Sequence, residues 1–192
     1  MNKFGEKILF SRLKSRDKEA FIKAYDLYVD PIYRFVYFKI GDEEDARDLT
    51  SAVFLKAWNH IQNNSLTDYK TLKALFYKIA RNSVIDHYRK KAVQNNLISG
   101  YGGEGEENLI LNIADEKQDI IKRVGITFDL ALVEKKIMEL KDEYREIIIM
   151  RFTEELSISE MAEILNKSKG NIRILIHRAL KALRELAGVE DK

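Results

Sequence analysis

The sequence predicts an all-α protein made of two small helical domains joined by an acidic, flexible linker. Apolar residues recur at three- and four-residue steps almost throughout, the period of an amphipathic helix, and no alternating run is long enough to found a sheet. One stretch, residues 92–127, breaks the pattern with GYGGEGEEN and a run of acids, and such composition shifts mark domain boundaries. The 192 residues are 45% apolar and 33% charged, enough to bury a core, while nine Gly and a single Pro leave too few turns for a β-sandwich.

In the first helical run, Phe21, Ile22, Tyr25, Tyr28 and Val29 are followed by Ile32, Phe35, Val36 and Ile40. Pro31 is expected to kink this run or to open a new helix. Gly41 and Asp42 end it. A second helix is predicted from about residue 43 to 61, with Ala46, Leu49, Val53, Phe54, Ala57 and Ile61 on its stripe. NNSLTD (63–68) reads as a turn. A third helix, about 71–91, carries Leu72, Leu75, Phe76, Ile79 and Ala80 inward. Glycine costs about 1 kcal/mol per helical position, so GYGGEGEEN cannot hold a helix. Beyond it, helices are predicted at about 129–139, 142–152, 158–165 and 170–187. The expected division is 1–91, a linker at 92–127, and 128–188.

Composition excludes more than it selects. Lys and Arg number 33 against 31 Asp and Glu, a net charge of +2, so the distribution of charge has to carry any nucleic-acid reading. With no Cys there is no disulfide, zinc knuckle or thiol nucleophile. The N-terminal residues scatter charges where a signal peptide needs an apolar run, and no stretch is long enough for a membrane span, so a cytoplasmic protein without membrane insertion is expected. No phosphate-binding loop, zincin or nucleophile-elbow motif occurs, and His60, His87 and His177 are far apart. No catalytic residue, metal site or cofactor is therefore expected, and no enzyme.

The sharpest local signal is Ser157-Ile-Ser-Glu160, a capping box that opens a short helix; four residues later a long amphipathic helix begins. A short capped helix, a tight turn and a basic second helix make the helix-turn-helix plan. Its second helix buries Ile172, Leu175, Ile176, Ala179, Leu180 and Leu183, while Arg173, His177, Lys181 and Arg184 step along an outward face. Lys169, Asn171, Arg173, Ile174 and His177 would reach base edges or phosphates of a major groove, flanked by Lys167, Arg178 and Lys181. A solvated basic face on a bundle is the competing reading. Ile174 is expected to pack against a neighbouring helix, with contact to a thymine methyl as the alternative.

Two further clusters stand in the first half. Lys70, Lys73, Lys78, Arg81, Arg89, Lys90 and Lys91 interleave with Phe76, Tyr77, His87 and Tyr88, a mixture that suits unstacked nucleic acid but also an ordinary aromatic core. Asp42, Glu43, Glu44, Asp45 and Asp48 load a helix N-terminus, where the dipole favours acids; five of them exceed capping and suggest a docking patch for a basic partner.

DARDLTSAVFLKAW (45–58), LFYKIARNSVIDHYRKK (75–91) and LKDEYREIIIMRFTEELSISEMAEILNKSKGNIRILIHRALKALRE (140–185) together resemble extracytoplasmic-function (ECF) RNA polymerase sigma factors, in the family's order. The resemblance implies a protein that binds core RNA polymerase and promoter DNA and directs transcription initiation. It implies that Asp45, Asp48, Leu49, Val53 and Phe54 dock on the β′ clamp coiled coil. It assigns the −10 element to the 63–70 loop, with Asn64 and Ser65, and to Tyr77, Lys78, Arg81, Asn82 and Arg89. The −35 element goes to the helix-turn-helix set above, whose apolar surface would also meet the β flap. An anti-sigma factor is a possible partner. The sequence departs from the family pattern at Ser51-Ala52 (usually Gln-Glu), Leu75 (Trp), Lys141 (Pro) and Arg173-Ile174-Leu175 (Lys-Ser-Arg). Glu104, Glu106 and Glu107 of the linker are expected to stand where RNA phosphates later pass. The alternative is a stand-alone helix-turn-helix regulator that binds duplex DNA without polymerase.

Overall fold

The computed structural model describes residues 3–63, 66, 71–99 and 128–188, and among them there is no strand. The linker acids Glu104, Glu106 and Glu107, and Asn64 and Ser65 of the loop, lie outside the described residues. A helix that the sequence reading did not anticipate, α1 (Lys3–Lys14), comes first and buries Leu9 and Leu13 as it packs on α2 (Lys18–Ile40). The joint between them is Asp17. Its carboxylate accepts from the amides of Glu19 (2.9 Å) and Ala20 (3.2 Å) and from Arg12 Nε (2.7 Å). The Arg12 guanidinium and the capped amides hold this carboxyl below its ordinary range.

Pro31 neither ends nor restarts α2, which runs unbroken through it for 23 residues. Tyr28, Ile32, Phe35 and Val36 continue one buried stripe across the proline, so packing on both sides holds the helix together. The amide that proline lacks would have bonded to the carbonyl of Leu27, on the exposed side of the helix. Gly41, at φ 75°, then closes the helix with its N–H on the Tyr37 carbonyl (2.7 Å).

Helices α3 (Glu43–Asn63) and α4 (Leu72–Ser99) pack on α2 to complete the first bundle. Its centre is aromatic: Phe76 lies 5.2 Å from both Tyr28 and Phe54, and Tyr77 meets Phe35 edge-on at 5.3 Å. Helix α4 continues to Ser99, past the boundary at 91 expected from sequence.

The second half holds α5 (Phe128–Glu139), α6 (Asp142–Ile148), α7 (Ile158–Leu165) and α8 (Lys169–Ala187). What reads as one helix over 142–152 is instead α6 followed by a π-helical turn, Ile149–Thr153. Ile147, Ile149, Met150, Leu156, Met161, Ile172, Leu175 and Ala179 form the core of this half. The two halves touch: α7 packs against α4, and α6 and the π turn pack against α2. Arg145 helps to join them, because its guanidinium donates to the carbonyls of Met138 and Leu140 at the end of α5 and of Phe38 near the end of α2. A cation there suits both helix C-termini, although burial pushes its pKa down.

Two outcomes are expected from this architecture. Pro31→Ala restores the missing amide and should stabilise the protein by up to about 3 kcal/mol, measured by urea denaturation; a loss of stability would mean that the bundle needs the proline ring. Ser157→Ala removes one side of the capping box, which is fully formed in α7, and should cost about 0.5–2 kcal/mol in the same assay.

Candidate nucleic-acid interface

The capping box and the turn after it decide how α8 is presented. Ser157 and Glu160 each accept the other's backbone amide, and α7 ends on Asn166 in the left-handed region at φ 51°. Ser168 then caps α8 through the Asn171 amide at 3.2 Å. With Ile172, Leu175 and Ala179 buried, the opposite face is turned to solvent, and Lys167, Lys169, Asn171, Arg173, His177, Arg178 and Lys181 are all exposed on or beside it. Lys167 lies 3.5 Å from Glu143, and Lys181 lies 4.0 Å from Glu185. Ile174 does not pack as expected: it is 52% exposed, in the middle of this polar face. A β-branched apolar side chain so placed is available to a thymine methyl.

Helix α4 treats its basic and aromatic residues differently. Phe76 and Tyr77 are core, so the packing reading of these aromatics is the right one. The Tyr77 hydroxyl donates to Glu154 Oε2 at 2.7 Å, and burial, then the Glu154 charge, push its pKa up. Arg81 donates from Nε to Glu146 at 3.1 Å. Lys78 and Asn82 lie on the neighbouring stripe of the helix, with Asn82 and Arg89 exposed. Tyr88 donates to the Lys39 carbonyl at 2.5 Å and is only half-exposed.

Four basic residues of the first half therefore meet three acids of the second. Arg34 donates to both oxygens of Glu154 (3.2 and 3.4 Å), and Lys73 to its backbone carbonyl (3.5 Å). Lys39, itself buried, donates to both oxygens of Asp142 (2.5 and 2.6 Å) and lies 3.9 Å from Glu146. Arg34, Lys39 and the three acids were not singled out from sequence. They fall on separate helices, and no local motif announces a contact made across more than 60 residues of chain.

The acidic end of α3 is narrower than its composition suggests. Asp42 accepts the Asp45 amide, Glu43 pairs with Arg47, and Asp45 faces His87 (3.7 Å) and Lys91 (3.8 Å) on α4. Glu44 and Asp48 remain on the surface. Val53 and Phe54, expected at a docking surface, are instead buried against the bundle core, because they share the stripe of Ala46, Thr50, Ala57 and Ile61. Leu49 is half-buried. Exposed apolar residues on this side of the bundle are Leu55 of α3 and Ile22 and Tyr25 of α2, which line one groove with Trp58. Among the described residues no group of His, Asp or Glu could hold a metal ion, and no helix is long and apolar enough to cross a membrane.

Family models match both halves: sigma-70 region 2 over residues 24–93, which hold α3 and most of α2 and α4, and sigma-70 region 4 over 130–183, which hold the helix-turn-helix. The ECF RNA polymerase sigma factor SigW of Bacillus subtilis (strain 168) is 31% identical over 178 residues, spanning 91% of this chain and 92% of that protein. This chain belongs to the ECF RNA polymerase sigma factors. SigM of the same organism is 28% identical and spans 88% of this sigma factor and 96% of its own length. The fold is shared with the sigma factor RpoE in its co-crystal with the anti-sigma factor NepR from Bartonella quintana (TM-score 0.67, 23% identity, covering 89% of this chain and 98% of that one). It is also shared with CnrH in complex with the cytosolic domain of CnrY (TM-score 0.65, 20% identity, 97% and 99%).

The buried phenol of this sigma factor gives a measurable signature. Tyr77→Phe leaves one oxygen of a buried carboxylate short of a donor and should cost about 1–3 kcal/mol at neutral pH. Because folding raises the Tyr77 pKa, its stabilising share is fully present below the unfolded value near 10 and is lost as pH climbs above it. The gap between wild type and Tyr77→Phe in urea denaturation should therefore shrink in alkali; a gap constant with pH would mean that folding does not raise the pKa of this hydroxyl.

Proposed function

We propose that this sigma factor binds core RNA polymerase and reads a promoter at two places, with residues 1–91 serving the −10 element and polymerase docking, 92–127 the connection, and 128–188 the −35 element. The observation that carries this reading is the exposed polar face of α8 behind a fully formed capping box, in a chain whose other half matches region 2. On α8, Arg173, His177 and Asn171 meet base edges, Ile174 a thymine methyl, and Lys167, Lys169, Arg178 and Lys181 the phosphates. On α4, Lys78, Asn82 and Arg89 follow the nontemplate strand, joined by Arg81 and Tyr77 when the halves separate. Docking falls to Asp48 and Leu49 together with the exposed Leu55 and its apolar neighbours, while Asp45 is shared with His87 and Lys91. The protein contributes binding energy and no catalytic group, and it works in the cytoplasm, where polymerase and DNA are. An anti-sigma partner is supported by the two structural relatives, each solved with a partner protein.

The deciding experiment adds the purified chain to core polymerase with genomic promoter fragments and maps the transcripts. Promoter-dependent RNA is expected, and it should be lost on Asp48→Lys with Leu55→Glu. Tight duplex binding without core, and no transcripts with it, would point to a free-standing regulator. Arg173→Ala should cost about 1–3 kcal/mol of sequence discrimination at −35, whereas Lys169→Ala should weaken all sequences alike and lower the salt slope by about one.

A further inference from the structure

We propose that Gly170 and Ile174 of α8 form an apolar notch for the 5-methyl group of a thymine in the −35 element, so that one base pair of this promoter box is selected by its methyl and not by a hydrogen bond. The proposal rests on the promoter-reading function above and names the base feature that this half selects. Ile174 is 52% exposed, while Ile172 and Leu175 on either side of it take the inward stripe. Gly170 lies one turn before Ile174 on the same exposed face. A helical side chain leans over the turn N-terminal to it, so Ile174 covers the surface that Gly170 leaves bare. The fold itself has no need of glycine here. Residue 170 is helical without a positive φ, and a Cβ built on it would meet Ser168 Oγ at 3.8 Å, an ordinary contact. Alanine would serve the helix better. What glycine supplies is a backbone open to close approach, and that lets a short branched side chain one turn further on reach the floor of a groove.

The surroundings decide which apolar group enters. The stretch from Lys169 to Arg178 contains no acid, and its cations Lys169, Arg173 and Arg178 are all exposed. An apolar notch framed in this way suits an anionic partner and not the apolar face of another helix. On a major-groove base edge the apolar feature is the pyrimidine 5-methyl, carried by thymine and by 5-methylcytosine. The two bases differ beside that methyl: thymine presents O4, an acceptor, and cytosine presents the N4 donor. Arg173 and Arg178 can only donate, so the notch favours thymine. Removing one buried methyl from such a contact corresponds to about fourfold in affinity.

The test assembles the full-length chain with core polymerase on a promoter fragment from which it starts RNA, and replaces each dT of the −35 element, on either strand, by dU. At one position the replacement should weaken binding about fourfold. At that position 5-methyl-dC paired with dG should bind less tightly than dT paired with dA, and more tightly than unmethylated dC with dG. Ile174→Ala should bring the dT-to-dU ratio there to about one. Gly170→Ala should bring it below about twofold while its melting temperature holds or rises, which separates the notch from a glycine kept for the fold. A −35 element without thymine overturns the proposal, as does a wild-type ratio near one at every dT, or a ratio that either variant leaves unchanged. Binding of 5-methyl-dC as tight as that of dT overturns the choice of thymine. If wild type with core starts no promoter-dependent RNA, the promoter-reading function fails; the dT-to-dU ratio is then measured on duplexes that the chain alone selects from a random pool, and decides the notch separately.

Discussion

A carboxylate removed from water has to be surrounded by donors, and the arrangement of this molecule follows from that demand at Glu154. Its side chain belongs to the second half of the chain, and its donors, Arg34, Tyr77 and Lys73, belong to the first. Leaving such a group unpaired would cost several kcal/mol, so the halves cannot shift relative to one another without finding it a new partner. Glu146 repeats the condition with Arg81 and Lys39. Apolar packing holds each half together, but charge sets the register between them.

Much of the secondary structure was legible because it is written locally. The S-x-x-E box, the stripe of α8 and the break after Ile40 each depend on residues a few positions apart, and each stands where the sequence places it. What sequence misplaced depends on distant partners. Pro31 reads as a kink or the start of a new helix because a proline in isolation costs a helix about 3 kcal/mol; no new helix starts there, because the buried stripe on both sides outweighs that. The π turn at Ile149–Thr153 has no signature in IMRFT, since one extra residue in a helix is set by what its side chains must reach. Helix α1 carries charges on most faces and is fixed chiefly by Leu9 and Leu13 against α2.

The candidate site was legible to a similar degree and for the same reason. The face of α8 follows from helical periodicity alone, and every polar residue assigned to it is exposed. Ile174 was misjudged because an apolar side chain in an amphipathic helix is ordinarily core, and only the position of Leu175 and Ile172 on the inner stripe shows it to be turned away. At α3 two readings of the same residues diverge. Periodicity puts Val53 and Phe54 on the inner stripe, the family resemblance makes them docking candidates, and the structure buries them with Ala46 and Ala57. A motif preserves positions that matter to the fold as well as to the partner, and burial separates the two.

The two faces proposed for nucleic acid differ in a way that bears on how they can be used. On α8 the cations stand on a helix anchored through Ile172, Leu175 and Ala179 on α5, α6 and α7 of its own half, so the face needs no rearrangement to meet a duplex. On α4 the strongest donors, Arg81 and the Tyr77 hydroxyl, are already engaged, and using them means exchanging one set of charge-assisted bonds for another. The first kind of surface binds whenever its target is present. The second can be used only if other binding energy compensates for the bonds exchanged, and the docking proposed through Asp48 and Leu55, both exposed on α3, would supply energy that does not compete with those bonds.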